Sequence, residues 1–318
     1  MIDKLKILCA EGLYPYRNQA IEKYLLDSCQ TGEMILYLWA NDKTVFIGKN
    51  QNAYTECRLT ELFADGGYVA RRFTGGGAVY HDKGNLNFTF VARREDYDIA
   101  NQFAIMTGAM RSLGFNAELN GRNDVTIDGK KFSGNAFYKS EHSCLHHGTV
   151  LINSNYQSIA KYLNVSRIKL NAKGVKSVVS RVGNLCDYRP GINADEVAEA
   201  LIKSLKNRYS QAGCTYLTEN DLPQDQLKIL AGYFADGNYV CGDDIHYNVS
   251  FEYRYEWGVA EVRLEFNGDV IEKAKIYSDA LDTEAVELKE KLLTGLDVTK
   301  SVDPRIKDII ETMGALKQ

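Results

Sequence analysis

Apolar and polar positions alternate in short stretches along most of the chain and change to helical spacing in a few places. Ala20, Ile21, Tyr24 and Leu25 recur every three to four residues, which predicts a helix over Asn18–Cys29. Met34–Trp39 and Thr44–Ile47 read as strands joined by a turn at Asn41–Asp42, and Gly67–Arg72 with Asn85–Val91 as a second pair. In the last, Leu86, Phe88 and Phe90 alternate with Asn85, Asn87 and Thr89, the period of a half-buried strand. A helix follows over Ala100–Leu113. Val125–Ile127 and Lys131–Tyr138 flank Asp128–Gly129, a dipeptide suited to a tight hairpin turn, and Thr149–Ile152 is a further strand.

In the second half, Asn193 and Glu196 have capping-box spacing at the start of a helix reaching Leu205. Asp221–Tyr233 also reads as helical. Phe251–Tyr255, Gly258–Phe266 and Val270–Tyr277 form a meander turning at Asn267–Asp269, and Ala285–Leu293 and Pro304–Leu316 are closing helices. The whole predicts an α+β chain with mostly antiparallel or mixed sheets, not the strand–helix alternation of a doubly wound fold. The boundary falls near Val240–Tyr247. It gives a large domain over residues 1–243 and a small α+β domain over 244–318.

Charge narrows the function. The net charge is -4, so general nucleic-acid binding is not expected. Seven cysteines are widely spaced without a Cys-x-x-Cys pair, which disfavours a cysteine-built metal site and fits a reducing compartment. No apolar run is long enough to cross a membrane and the N-terminus does not read as a signal peptide. A cytoplasmic enzyme is expected.

Three segments carry candidate chemistry. Arg71 and Arg72 precede Thr74, Gly75, Gly76 and Gly77, followed by Ala78, Val79, Tyr80 and His81. Adjacent glycines let backbone N–H groups converge on an anion, and arginines fork onto phosphate or carboxylate oxygens. The loop joins two strands, which excludes Rossmann and Walker loops. A glycine triplet alone would also fit a flexible turn. In the hairpin, alternation puts Lys131, Ser133 and Asn135 on one face and Phe132, Ala136 and Tyr138 on the other, so the first face is either a polar pocket wall or solvated. Asp124 offers a hard oxygen for Mg²⁺, or serves the turn. Val165–Leu185 holds Arg167, Lys169, Lys173, Lys176 and Arg181 without an acidic neighbour until later in the chain, a basic loop that could close over a phosphorylated intermediate or stay solvated. Adjacent His146 and His147 would point to opposite faces of a strand and so would not share a metal.

Together these segments resemble the lipoate–protein ligase family. The matching stretches are LYLWANDKTVFIGKNQNAYTEC, ARRFTGGGAVYHDKGN, GRNDVTIDGKKFSGNAFY, HHGTVLIN, KLNAKGVKSVVSRVGNL and WGVAEVRLEFNGDVIEKAKIYSDAL, in family order across nearly the whole chain. The resemblance implies a catalytic domain like those of biotin ligases and class II aminoacyl-tRNA synthetases, with a small accessory domain. It implies that lipoate and ATP, with Mg²⁺, give lipoyl-AMP and pyrophosphate, and that the lipoyl group then passes to a carrier lysine. The carriers would be the H protein of glycine cleavage or E2 lipoyl domains, octanoate would be a second acyl substrate, and the enzyme would be a monomer. By the same resemblance Lys131 is catalytic. Arg72, Gly75, Gly76, Gly77, Ala78, Val79, Tyr80 and Lys131 contact ATP or the adenylate. Arg71, Gly76, His81, Lys131, Gly134 and His147 contact lipoate, Asp124 neighbours Mg²⁺, and the segment Lys169–Val182 folds over the adenylate. An ATP-independent octanoyl or lipoyl transferase of the same fold would need a cysteine near Lys131, and none precedes it in residues 121–130. A binding paralogue without catalysis is the other alternative.

Overall fold

The structure is a computed structural model describing residues 1–121, 123–164, 182–242 and 244–316. Eight strands form the main sheet: β1 (Lys4–Cys9), β2 (Glu33–Trp39), β6 (Asn85–Arg93), β7 (Ala117–Asn120), β8 (Asp124–Ile127), β9 (Lys130–Lys139), β10 (Ser143–Leu151) and β11 (Gly213–Leu217). Their order is β11-β1-β2-β6-β10-β9-β8-β7. β1 runs parallel to both neighbours, and the other pairs are antiparallel. The sheet is mixed, as expected. Its central strands are buried on both sides: every residue of β2 and eight of the nine in β6. That explains why β2 shows no clean alternation.

Helices cover both faces. Ile99–Ser112 and Ala194–Arg208 supply the core on one side, around Phe88, Phe90, Met106 and Leu201. Pro15–Ser28 and Gln224–Ala235 cover the other, around Ile21, Leu25, Tyr37 and Leu227. The Asn193 side chain caps Glu196 N–H at 2.9 Å, so the capping signal in the sequence is met.

A second sheet packs above the large one: β4 (Tyr68–Arg71), β3 (Thr44–Ile47) and β5 (Val79–His81), with β3 in the middle. Two readings need correction here. Gly67–Arg72 does not pair with Asn85–Val91; β4 lies parallel to β3, while β6 sits in the large sheet between β2 and β10. β2 and β3 also separate into different sheets. The turn between them is drawn inward, because Asn41 is fully buried and bonded to Asn18 and His81.

The meander β12 (Val249–Tyr255), β13 (Gly258–Asn267) and β14 (Val270–Ser278) carries its own core with the helices Thr283–Leu293 and Lys307–Leu316. It touches the glycine loop. Gly76 N–H donates to Ala280 O at 3.0 Å, Ser278 N–H to Asn50 O at 2.7 Å, and Lys49 pairs with Glu287 at 2.5 Å.

Candidate active site

Between the two sheets lies a cavity of about 140 Å³. Its roof is the glycine loop and the small sheet, with Arg72, Gly76, Gly77, Ala78, Val79, Phe46 and His81. Its floor is the large sheet, with Trp39, Asn87, Thr149, His147, Gly134 and Ala136, and Lys131 and Asn123 stand at one end. Nine of the residues expected at the site therefore meet: Arg72, Gly76, Gly77, Ala78, Val79, His81, Lys131, Gly134 and His147.

The loop is held open by its own arginine. Arg72 is buried, and its guanidinium donates to Gly75 O (2.8 and 3.2 Å), Gly77 O (2.8 Å) and Phe46 O (3.2 Å). Those carbonyls turn inward, and Gly76 can follow because it adopts φ +96°, a conformation that costs glycine little. Burial pulls the Arg72 pKa down to about 10, with Glu22 opposing. The group stays cationic at neutral pH, a fixed and buried positive charge at the cavity wall.

Lys131 enters through a β-bulge. The register slips between Val125 and Thr126, so that Thr126 faces Lys131 while Val125 faces Ser133. Phe132 becomes the extra residue and joins the core. The expected alternation is broken here: Lys131 and Asn135 line the cavity as read, but Ser133 does not and Ala136 does. Lys131 lies on the cavity side over Gly134, where an added Cβ would come within 2.8 Å of its Nζ, while Ser133 is fully buried outside the cavity. Lys131 pairs with Asp124 at 2.7 Å, both side chains about one-third exposed. Its backbone carbonyl accepts Gly183 N–H at 2.9 Å, where the chain returns from the basic segment. Arg167, Lys169, Lys173, Lys176 and Arg181 lie outside the described residues.

Four expected site residues do not line the cavity: Asp124, which pairs with Lys131 at its end, and Arg71, Gly75 and Tyr80. Arg71, at the end of β4, is buried, and its guanidinium donates to Gly48, Lys49, Gln51, Tyr239, Val240 and Cys241 carbonyls; it is fully committed to the fold. Gly75 faces the carbonyls of Ala280 and Leu281. Tyr80 points away toward Tyr162, with ring centroids 5.3 Å apart.

The histidines diverge, as their adjacency required. His146 packs among Phe88, Phe90, Phe103 and Phe137. His147 turns to the cavity. Its Nδ1 donates to Glu22 Oε1 at 2.7 Å and its Nε2 faces the Thr74 hydroxyl at 2.9 Å. Glu22 also accepts Thr89 Oγ1–H at 2.7 Å, and Thr89 accepts Trp39 Nε1–H at 3.0 Å. This buried network was invisible in the sequence, where Glu22 is one polar position in an ordinary helix. A carboxylate 1% exposed survives only with such partners. His81 stacks on Phe46 at 5.2 Å, and burial first, then Arg72 and His147, lowers its pKa to about 3. Among the described residues no cysteine lines the cavity. Cys144 is buried at the start of β10 and its thiol pKa is raised by that burial.

The geometry is that of a cavity with an apolar aromatic section, a fixed cation and glycine backbone in its roof, and an ammonium at one end. Comparison with known proteins agrees. Residues 14–206 match the lipoyl protein ligase A/B catalytic domain, and residues 244–315 match the bacterial lipoate protein ligase C-terminus. Lipoate-protein ligase A of Psychrobacter cryohalolentis is 36% identical over 93% of this chain and 90% of its own. Among solved structures, P. falciparum LipL1 in complex with lipoate superposes with TM-score 0.82 at 27% identity, covering 98% of both chains. A bi-partite ligase of Thermoplasma acidophilum, studied with its E2 lipoyl domain, gives 0.66 at 29% identity over 78% of this chain and all of its own. Lipoate-protein ligase A bound with ATP gives 0.64 at 27% identity over 76% and 99%. The chain belongs to the lipoate–protein ligase family.

Proposed function

We propose that this cavity joins lipoate to ATP, and that the chain then passes the lipoyl group to a lysine on a carrier domain. The observation carrying the reading is that Arg72, the 76–79 backbone and Lys131 converge on one cavity whose remaining wall is aromatic and apolar. In the first step a carboxylate oxygen of lipoate attacks the α-phosphorus. The α–β anhydride bond breaks and pyrophosphate leaves. Two anions must meet, and an ammonium ~4 Å away contributes ~4 kcal/mol at an effective dielectric near 20. Lys131 supplies it, exchanging its Asp124 partner for the reacting oxygens. Arg72 holds Gly76, Gly77, Ala78 and Val79 in shape for the adenylate, while His81, Gly134 and His147 border the acyl chain. Arg71, Gly75 and Tyr80 serve the scaffold.

Asp124 fits a role beside Mg²⁺. One carboxylate next to the phosphate end, with Asn123 adjacent, is what this ion takes when phosphates and water fill its remaining positions. The ion would neutralise phosphate charge when bound.

In the second step the carrier amine attacks the acyl carbon, the bond to AMP breaks, and the amine loses a proton. That amine has an unperturbed pKa of ~10.4, so its proton must be removed as the bond forms. We take residues 1–243 as the catalytic unit and 244–318 as accessory, acting as a monomer in the cytoplasm. E2 lipoyl domains and the H protein are the proposed acceptors. The absence of a cysteine from the cavity lining, among the described residues, disfavours thioester transfer.

The test is lipoate-dependent ATP–pyrophosphate exchange with Mg²⁺, followed by mass analysis of apo-H protein and an apo-E2 domain. Exchange and a lipoyl mass shift are expected; no exchange with lipoate or octanoate refutes the reading.

A further inference from the structure

Two polar atoms of residues that line the cavity have no partner in the fold. Asn87 Nδ2 and His81 Nε2 make no hydrogen bond, although their residues are only 1% and 3% exposed and both line the cavity. Their chemical character follows from their neighbours. Asn87 Oδ1 accepts Asn85 Nδ2–H at 2.8 Å while Asn85 Oδ1 is itself unpartnered, and in this orientation of the two amides the free end of Asn87 is its donor. Asn41 Oδ1 accepts Asn18 Nδ2–H at 3.0 Å, so Asn41 presents its own Nδ2–H to His81 Nδ1, 3.2 Å away. Nδ1 then accepts, and the proton of the neutral ring sits on Nε2. Burial keeps that ring uncharged, with its pKa near 3. The cavity therefore contains two neutral N–H donors awaiting an acceptor.

Their position relative to Lys131 decides what they meet. Gly134, beneath Lys131, donates its N–H to Thr149 Oγ1 at 3.2 Å. Thr149 faces Asn87 across β10 and β6, and Asn87 faces Trp39 across β6 and β2. At ~4.8 Å per strand, Asn87 stands roughly 10 Å from Gly134. An eight-carbon acid whose carboxylate meets Lys131 and whose chain crosses the strands brings its far end to Asn87. There Trp39, Phe46 and His81 surround it, with ring centroids 5.2, 5.9 and 6.1 Å apart. Aromatic rings and N–H donors together suit sulfur, which is polarisable, packs well on rings and accepts weak hydrogen bonds. Lipoate carries sulfur on its sixth and eighth carbons. Octanoate offers contact there but no acceptor, leaving both donors unmatched.

We propose that Asn87 and His81 are specificity determinants that select a sulfur-bearing acyl tail, the dithiolane of lipoate, over the plain chain of octanoate. The proposal rests on the ligase reading in one respect: Lys131 fixes the carboxylate end.

The experiment compares lipoate and octanoate on the full chain in two ways: calorimetric Kd without nucleotide, and kcat/KM for ATP–pyrophosphate exchange. Wild type is compared with Asn87→Leu, which keeps size, and His81→Phe, which keeps the ring. The readout is the lipoate-to-octanoate ratio within each preparation, so any unfolded fraction cancels. A wild-type ratio of about tenfold or more is expected, falling to about twofold in each variant through loss of lipoate. A wild-type ratio near one, or a ratio unchanged in both variants, overturns the proposal. Tight and selective lipoate binding without exchange would sustain it while refuting the ligase reading.

Discussion

A single methyl group tests how the glycine loop is braced. A Cβ at Gly75 would lie 2.3 Å from Ala280 O and 2.6 Å from Leu281 O, both backbone atoms that follow the C-terminal meander. Gly75 is not in the left-handed region, so Gly75→Ala strains the loop's own backbone little. Relief requires the 280–281 backbone to withdraw by about 1 Å, since carbon–oxygen contacts settle near 3.4 Å. That displacement stretches the 3.0 Å bond from Gly76 N–H to Ala280 O beyond hydrogen-bond range, and it loosens Ser278 N–H to Asn50 O. Two lost hydrogen bonds at ~1 kcal/mol each give about 2 kcal/mol, within the usual cost of overpacking. The surface pair Lys49–Glu287 adds little. With about 2.1 cal/mol/K of unfolding entropy per residue over the 318 residues, a Tm decrease of roughly 3 °C follows. Limited proteolysis should cut sooner between residues 242 and 248. Gly77→Ala is the control: nothing lies within 4 Å of its Cβ, so calorimetry should show a Tm near wild type. Equal melting and proteolysis of wild type and Gly75→Ala would refute the idea that the C-terminal meander seats against this loop.

Other consequences follow from the site. Lys131→Ala should lower kcat for adenylation by 10²-fold or more, about 3 kcal/mol, with the fold intact by circular dichroism; near-normal exchange would remove its assigned role. His81 gives a pH signature. Its folded pKa of about 3 lies below the ordinary 6.5, so the unfolded chain binds the proton more readily and stability declines as pH falls below 6.5. Between pH 7.5 and 5.5 the loss is about 1 kcal/mol in urea unfolding, and His81→Gln should lack that share. An identical pH slope in that variant would contradict it. Cys144→Ala should retain ligation to an apo-carrier within about threefold, since this thiol packs rather than reacts; a loss of 10²-fold would restore the transferase reading.

Much of the fold was legible because local patterns were strong: the helix at Ile99–Ser112, the Asp128–Gly129 hairpin and the C-terminal meander need only periodicity and turn chemistry. What failed was long-range. The bulge that keeps Lys131 on the cavity wall and turns Ser133 away from it is one extra residue, and period-two counting cannot see it. Arg71 read like Arg72, yet carbonyls about 170 positions away claim its guanidinium. The Glu22–His147 bond joins residues 125 apart, so nothing beside either one announces it. That the glycine loop belongs to the site region was legible from its three glycines and paired arginines, and Gly76 and Gly77 do line the cavity. The loop's dependence on Arg72 for shape was not legible.

The Arg71 clamp also says where this chain tolerates a break. Six carbonyls at one guanidinium fasten Tyr239–Cys241, the last helical turn before the connection to β12, against Gly48–Gln51. A new chain end just beyond Gly242 would therefore not fray back into the fold. On the far side, β12 to β14 and their helices carry a core of their own and keep the Gly76–Ala280 and Lys49–Glu287 seats. Two polypeptides divided here retain the means to reassemble, so the gene could be split at this point to give an enzyme switched on by bringing its halves together.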